Sequence, residues 1–70
     1  MKVITRADRR RLRASLTIGQ LYRRRADGLE LYVRQIYRAQ QRVLLGRTTA
    51  PRRRLEQTFD QVIREWELIA

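Results

Sequence analysis

Apolar residues recur at spacings of three and four along two stretches of the chain. In the first stretch, 27–43, the recurring positions are Leu29, Tyr32, Ile36, Ala39 and Val43. In the second stretch they are Leu55, Phe59, Val62, Trp66 and Ile69. Such spacing places the apolar side chains on one face of an α-helix. The pattern therefore predicts two amphipathic helices, over about 28–45 and about 51–69.

Residues that commonly begin and end helices stand at the predicted boundaries. Asp27 precedes the first helix as an N-cap with Glu30 three residues later, and Gly46 follows its last turn as a C-cap. Pro51 suits the first turn of the second helix. Two helices joined by a short loop form an antiparallel hairpin, so the expected fold is a small all-α domain.

A further helix is expected near the N-terminus. Thr5 and Asp8 have the spacing of a capping box before a helix over 6–16. The apolar stripe of that helix is thin, because most of its residues are arginine or small. We therefore expect this segment to be loosely held, or disordered until it meets a partner.

A second short helix is predicted between this segment and the hairpin. Thr17 and Gln20 form another capping box, which would begin a helix over 18–26. The expected organisation is a basic N-terminal arm or helix over 1–16, followed by a helical domain over 17–70.

Several apolar residues lie off the two predicted stripes. They are Leu31, Val33, Tyr37, Leu44 and Leu45 in the first helix, and Ile63 and Leu68 in the second. So wide an apolar surface on a small chain suggests a third helix packed inside, a homodimer or a protein partner.

Charge is the property in which this composition departs most from an ordinary small domain. The 70 residues include 17 Lys and Arg against 7 Asp and Glu, a net charge of +10, and every cation except Lys2 is arginine. Arginine pairs bidentately with phosphate or carboxylate and stacks on bases. A GC-rich genome would account for part of the arginine preference. It would not account for the net charge, which destabilises a small fold unless an anionic partner neutralises it.

The composition also excludes several function classes. The chain has no histidine and no cysteine, so it lacks the commonest general base and the thiolate ligands of metal sites. We expect no enzymatic activity, no metal or other cofactor and no small-molecule substrate. No stretch has the roughly 20 apolar residues of a membrane-spanning helix, and the N-terminus lacks a secretory signal. A cytoplasmic location is therefore expected.

Three groups of arginines are candidate sites for nucleic acid or for an acidic protein surface. In a helical hairpin, the end of the first helix and the start of the second would form a tip containing Arg42, Arg47, Arg52, Arg53 and Arg54. The exposed N–H groups of a helix start would add to an anion site there. The second group is a ridge along the first helix, formed by Arg34, Arg38 and Arg42 at a spacing that suits successive phosphates. Tyr37 beside this ridge could stack on a base.

The third group is the basic arm, 2–13, which carries Arg9, Arg10, Arg11 and Arg13. It resembles an arginine-rich arm that becomes ordered on RNA or DNA. A mitochondrial presequence has a similar arginine-rich, acid-poor composition, so that alternative stays open.

A short motif lies in the next segment. Leu21-Tyr22-Arg23 resembles the tripeptide of the LYR family of small mitochondrial assembly factors. The resemblance covers three residues and implies an assembly role, with the tripeptide inside a long first helix.

The function expected from these features is non-enzymatic and regulatory: binding of DNA or RNA, mainly through phosphate contacts. One alternative is a small regulator or inhibitor, for example phage-encoded, that docks on a host enzyme such as RNA polymerase or a CRISPR nuclease. Another is a structural or assembly subunit of a large complex. The first two classes differ in their apolar surface. A nucleic-acid binder should bury it in its own core or a homodimer, whereas a regulator should leave it for its partner.

Overall fold

The computed structural model describes residues 3–47 and 54–70, which form a five-stranded antiparallel sheet and two short helices. The strands are β1 (Leu21–Arg24), β2 (Glu30–Tyr37), β3 (Arg42–Gly46), β4 (Arg54–Thr58) and β5 (Trp66–Leu68). The helices are α1 (Arg6–Ser15) and α2 (Phe59–Glu65). The prediction of an all-α fold built on a long helical hairpin is therefore wrong, and so is the helix predicted over 18–26.

The order of the strands in the sheet is β4-β3-β2-β1-β5. The first four strands follow one another as a meander, and β5 returns to pair with β1 at the opposite edge. Because β4 and β5 lie at opposite edges, the connection between them must cross the sheet. That connection contains α2, which buries Phe59 and Val62, and α1 packs against α2.

The core lies between one face of the sheet and these helices. Its strand residues are Tyr22, Leu31, Val33, Val43, Leu45 and Trp66. Val33 and Leu45 are 0% exposed and Leu31 is 2% exposed, although all three lie off the predicted helical stripe. Three of the seven residues off the predicted stripes thus belong to the inner face of a sheet, which strands present at every second position. The residues of that set that are not buried are Tyr37, Leu44, Ile63 and Leu68.

A β-bulge in β2 interrupts the alternation of inward and outward residues along this strand. Val33 pairs with Leu45 and Gln35 pairs with Leu44, so Arg34 is an extra residue on β2. A bulge shifts the alternation by one residue. Ile36 consequently packs against the core where Gln35 would otherwise have faced it. Tyr32 and Ile36, which share the predicted helical stripe, therefore lie on opposite faces: Tyr32 is on the outer face and Ile36 packs against the core.

The residues interpreted as the start of the first long helix form the β1–β2 turn. Gly28 has φ of +75°, in the left-handed region that favours glycine. The Asp27 carboxylate accepts a hydrogen bond from the Leu29 N–H at 3.1 Å. An Asp-Gly pair between strands is a common hairpin signal, and its capping interpretation was wrong here.

The second predicted capping box also forms a turn. The Thr17 N–H donates to the Gln20 side-chain oxygen at 2.9 Å, which is one half of a capping box. Gly19 has φ of +98°, so the chain leaves the helical region at that point. The following residues enter β1, which places the Leu21-Tyr22-Arg23 tripeptide in a strand, with Tyr22 buried.

The helix predicted over 6–16 is confirmed as α1. Thr5 is its N-cap and forms a reciprocal capping box with Asp8. Leu12 packs against the core cluster, and Leu16, just after the helix, belongs to it. These two leucines dock α1 on the sheet in spite of its thin apolar stripe. Neither helix among the described residues is long and apolar enough to cross a membrane.

Candidate nucleic-acid interface

The structure separates the arginines of the predicted tip. In the β3–β4 pair, Arg42 lies opposite Thr58 at one end, and Gly46 lies opposite Arg54 at the other. Four residue steps along a strand place Arg42 about 14 Å from the end that carries Arg47 and Arg54. The tip therefore does not form as predicted. Its other members, Arg52 and Arg53, lie outside the described residues.

The predicted arginine ridge does not form either, because its residues do not share a helix. Arg34 is the bulged residue of β2, Arg38 lies in the β2–β3 turn and Arg42 begins β3. Arg38 and Arg42 lie at the same end of the sheet, whereas Arg34 lies further along β2. Arg38 and Arg42 therefore stay together, and both lie next to α1.

The arginines of α1 surround a cationic depression. Arg6, Arg10 and Arg13 are spaced by four and three residues, which places them on one face of the helix. Together with Arg9, Gln41 and Phe59 they line a cleft of about 400 Å³, called the α1 cleft below. The sequence therefore brings four guanidinium groups to one place by helical spacing alone.

Ion pairing distinguishes the arginines of this helix. Arg9 donates to both carboxylate oxygens of Asp60, at 2.7 and 3.2 Å, and Arg11 pairs with Asp8 at 2.7 Å. No carboxylate within the described ranges forms an ion pair with Arg6, Arg10 or Arg13. These three cations therefore remain available to an anion from outside.

The Arg9–Asp60 pair joins α1 to the first turn of α2. The hydrogen bond and charge of Arg9 lower the pKa of the Asp60 carboxyl, and Asp60 in turn raises the pKa of Arg9. Arg64, one turn further along α2, contributes to the lowered pKa of Asp60. The Asp60 carboxylate is thus charged at neutral pH and holds Arg9 at the edge of the α1 cleft.

Arg38 connects the β2–β3 turn to the other end of α1. Its guanidinium donates to the backbone carbonyl oxygens of Arg13 and Leu16. Carbonyls at a helix C-terminus lack partners within the helix and carry partial negative charge, so a cation is stabilising there. Arg38 therefore holds the β2–β3 turn against α1.

Gln41, the last residue of this turn, has a strained backbone. Its φ of +54° is unusual for a residue with a side chain. Its carbonyl oxygen accepts a hydrogen bond from the Phe59 N–H at 2.9 Å, which ties the turn to the start of α2. Such strain is often retained where a loop lines a binding site.

A second depression adjoins the α1 cleft at this turn. It measures about 310 Å³, is called the turn cleft below, and shares Arg9, Gln41 and Phe59 with the α1 cleft. Gln40 and Arg42 extend it toward the sheet. Arg42 is already paired there, to Glu56 at 2.8 Å.

Ion pairing of the arginines outside α1 is mixed: Arg23 and Arg24 are paired with carboxylates, and the arginines that form no ion pair within the described ranges are Arg25, Arg34, Arg38, Arg47, Arg54 and Arg64. What sets α1 apart is that its three unpaired arginines share one helix face at a cleft. Arg23 pairs with Glu67 at 2.9 Å and lies 4.0 Å from Glu30. Arg24 pairs with Asp27 at 2.6 Å, and that contact, with the Leu29 N–H, lowers the pKa of Asp27 to about 2. Every Asp and Glu side chain except Glu65 takes part in an ion pair within the described ranges.

Sequence reasoning did not select Arg6, Gln40, Gln41 or Phe59 as site residues. The spacing of Arg6, Arg10 and Arg13 along a confirmed helix would have identified Arg6. Gln41 and Phe59 reach the cleft only through the tertiary fold, and no local pattern marks them. The predicted residues that the structure gathers here are Arg9, Arg10, Arg13, Arg38 and Arg42.

Comparison with known proteins assigns neither a family nor a function to this site. No protein-family model matches the chain, and no curated protein and no solved structure shows significant similarity to it.

Proposed function

We propose that this chain binds nucleic acid through the α1 cleft, mainly by contacts between arginines and phosphates. The observation that carries the proposal is that Arg6, Arg10 and Arg13 share one helix face and have no carboxylate partner among the described residues. Three unpaired guanidinium groups raise the local potential, and a phosphate chain offers closely spaced anions to neutralise them.

The chemistry of the cleft fits a polyanion better than a small substrate. Its lining is mainly guanidinium and amide, which donate hydrogen bonds to phosphate oxygens in the forked geometry that arginine prefers. A net charge of +10 attracts nucleic acid over a long range at low salt. Contacts of this kind hold a backbone without selecting a sequence, so sequence preference should be weak.

Part of the apolar excess is buried within this chain, which leaves less apolar surface for a protein partner, although Leu68 is 52% exposed. Leu31, Val33 and Leu45 belong to the core of this chain. A regulator that used these residues to dock on an enzyme would need them at the surface. Protein docking remains the competing class, and the experiment below separates the two.

The test measures binding of fluorescent oligonucleotides, single-stranded and duplex, across a salt series. The wild-type affinity should fall steeply with salt, because each arginine–phosphate contact releases a counterion. The variant R6Q/R10Q/R13Q should bind more weakly and lose about 2 units of the logarithmic salt slope, at about 0.7 per contact on a single strand.

A matched control removes the same charge elsewhere. Arg34, Arg47 and Arg54 are exposed, and no carboxylate in the described ranges forms an ion pair with them. The variant R34Q/R47Q/R54Q lowers the net charge of +10 by three, as the cleft variant does. Equal losses in the two variants would show general attraction and no site at α1. No binding of any oligonucleotide at low salt would overturn the proposed function and favour a protein partner.

A further inference from the structure

A third depression continues the path formed by the α1 cleft and the turn cleft. It measures about 480 Å³, is lined by Tyr37, Gln40, Arg42 and Glu56, and is called the Tyr37 cleft below. It shares Gln40 and Arg42 with the turn cleft, which in turn shares Arg9, Gln41 and Phe59 with the α1 cleft. Because neighbouring depressions share lining residues, the three lie in series, and together they are called the trough below.

The trough passes around the end of the sheet. Val43 and Leu45 face the core, so their neighbours Arg42 and Leu44 face the opposite, outer side of β3. Tyr37 pairs with Arg42 and Arg42 with Thr58, which places the Tyr37 cleft on the outer face. The α1 cleft lies beyond the β2–β3 turn, at the helices that cover the inner face.

The two ends of the trough offer different chemistry. At one end are the unpaired arginines of α1. At the other end is the half-buried ring of Tyr37, whose hydroxyl donates to the Gln35 side-chain oxygen at 3.2 Å and which lies across from Arg42. A held aromatic ring beside a cation is a stacking platform for a base.

We infer that the ligand of this surface is a single strand, whose backbone follows the trough from Tyr37 around the β2–β3 turn to the arginines of α1 while one base stacks on Tyr37. This inference rests on the proposed function and adds the class of nucleic acid. A duplex is too stiff to bend around one end of a small sheet, and its bases are already stacked on each other. An unpaired base presents a free face to an aromatic side chain.

The first test compares three probes with the same number of phosphates. They are a base-containing single strand of about 12 nucleotides, a duplex hairpin and an abasic single strand. The base-containing strand is tested both as oligothymidine and as oligouridine. The wild-type protein should bind the base-containing strand several-fold more tightly than the other two. Equal or tighter binding of the duplex would overturn the inference and leave the proposed function standing.

The second test removes the ring. The variant Y37L should lose about tenfold in affinity for the base-containing strand and almost nothing for the abasic strand. Tyr37→Phe keeps the ring and should bind nearly as the wild type does. Tyr32→Leu is the matched control, since Tyr32 is on the outer face of the same strand but does not line the trough. Unchanged binding by Y37L would contradict the stacking contact.

A third measurement uses the wild-type chain and does not depend on the folding of a variant. Ultraviolet cross-linking to the thymidine strand, followed by trypsin, should label the peptide 35–38, which contains Tyr37. Tyr32 falls in a separate tryptic peptide, 26–34. Labelling of 26–34 in place of 35–38 would overturn the inference. If no probe binds at low salt, the proposed function fails and this inference fails with it.

Discussion

The buried indole of Trp66 illustrates how single residues hold this core together. Its N–H donates to the side-chain oxygen of Gln57 at 3.2 Å, and the Gln57 amide donates to the Glu56 carbonyl at 2.9 Å. Gln57 is the one buried polar residue among those described, and both its side-chain oxygen and its side-chain nitrogen form hydrogen bonds. Within the described ranges no buried side-chain nitrogen or oxygen lacks a partner.

Replacing Gln57 with methionine should therefore destabilise the fold by about 1–2 kcal/mol, because the Trp66 N–H loses its acceptor while the volume changes little. Urea unfolding of the purified variant measures this cost. In a Trp66→Phe background the same substitution should cost less, since no donor remains to be left unsatisfied. Equal costs in the two backgrounds would show that the hydrogen bond contributes nothing.

At the scale of elements, the β1–β2 hairpin depends on the backbone conformation of Gly28. A Cβ at this position would have no neighbouring atom within 4 Å, so the cost of a side chain comes from φ of +75° alone. Gly28→Ala should destabilise the protein by about 1–2 kcal/mol. Gly28→Asn should cost less, because asparagine tolerates the left-handed region. Thermal unfolding of the two variants tests this order, and an alanine variant as stable as the wild type would contradict it.

The Arg9–Asp60 ion pair between the two helices should make the free energy of unfolding depend on pH. The Asp60 carboxyl has a lowered pKa in the folded state because Arg9 donates to it. Its stabilising contribution is therefore fully present above the unfolded pKa of about 3.9 and is lost as the pH falls through the folded value. The free energy of unfolding should decline below about pH 4.

The variant Asp60→Asn isolates this contribution. Its free energy of unfolding should be lower than that of the wild type at pH 7, and the difference should shrink as the solution is acidified. Asp27, paired with Arg24 on the hairpin, titrates at about 2 and will still contribute to acid sensitivity in the variant. A difference between wild type and variant that is the same at pH 7 and at low pH would rule out the ion pair as its cause.

For the whole molecule, the net charge of +10 should dominate the response to salt. Repulsion among unpaired arginines opposes folding, and added salt screens it as the Debye length falls from about 30 Å at 0.01 M to about 8 Å at 0.15 M. The melting temperature should therefore rise with salt, even though the ion pairs among the described residues are screened too.

Calorimetry of the R6Q/R10Q/R13Q variant provides the comparison. Its lower net charge should give a higher melting temperature at low salt and a smaller rise on adding salt than in the wild type. A wild-type melting temperature that falls as salt is added would show that the ion pairs outweigh the repulsion.

The sequence by itself determined the features that depend on near neighbours. The Thr5–Asp8 capping box spans three residues, and it correctly predicted the start of α1. Phe59, Val62 and Trp66 were predicted to share the apolar face of one helix, and all three are buried, although Trp66 begins a strand. Ile69 of the same predicted face is 41% exposed. The abundance of arginine was also visible from composition, and it directed attention to an anionic partner before any fold was known.

Only the tertiary structure decided the fold class and the composition of the candidate site. Strand pairing joins distant residues, such as Arg24 with Trp66, and the bulge at Arg34 places Tyr32 and Ile36 on opposite faces of β2, which no local pattern predicts. Pairing of charges is equally non-local: Arg9 meets Asp60 from 51 positions away. Which arginines stay unpaired, and therefore available to a ligand, is set by those long-range contacts.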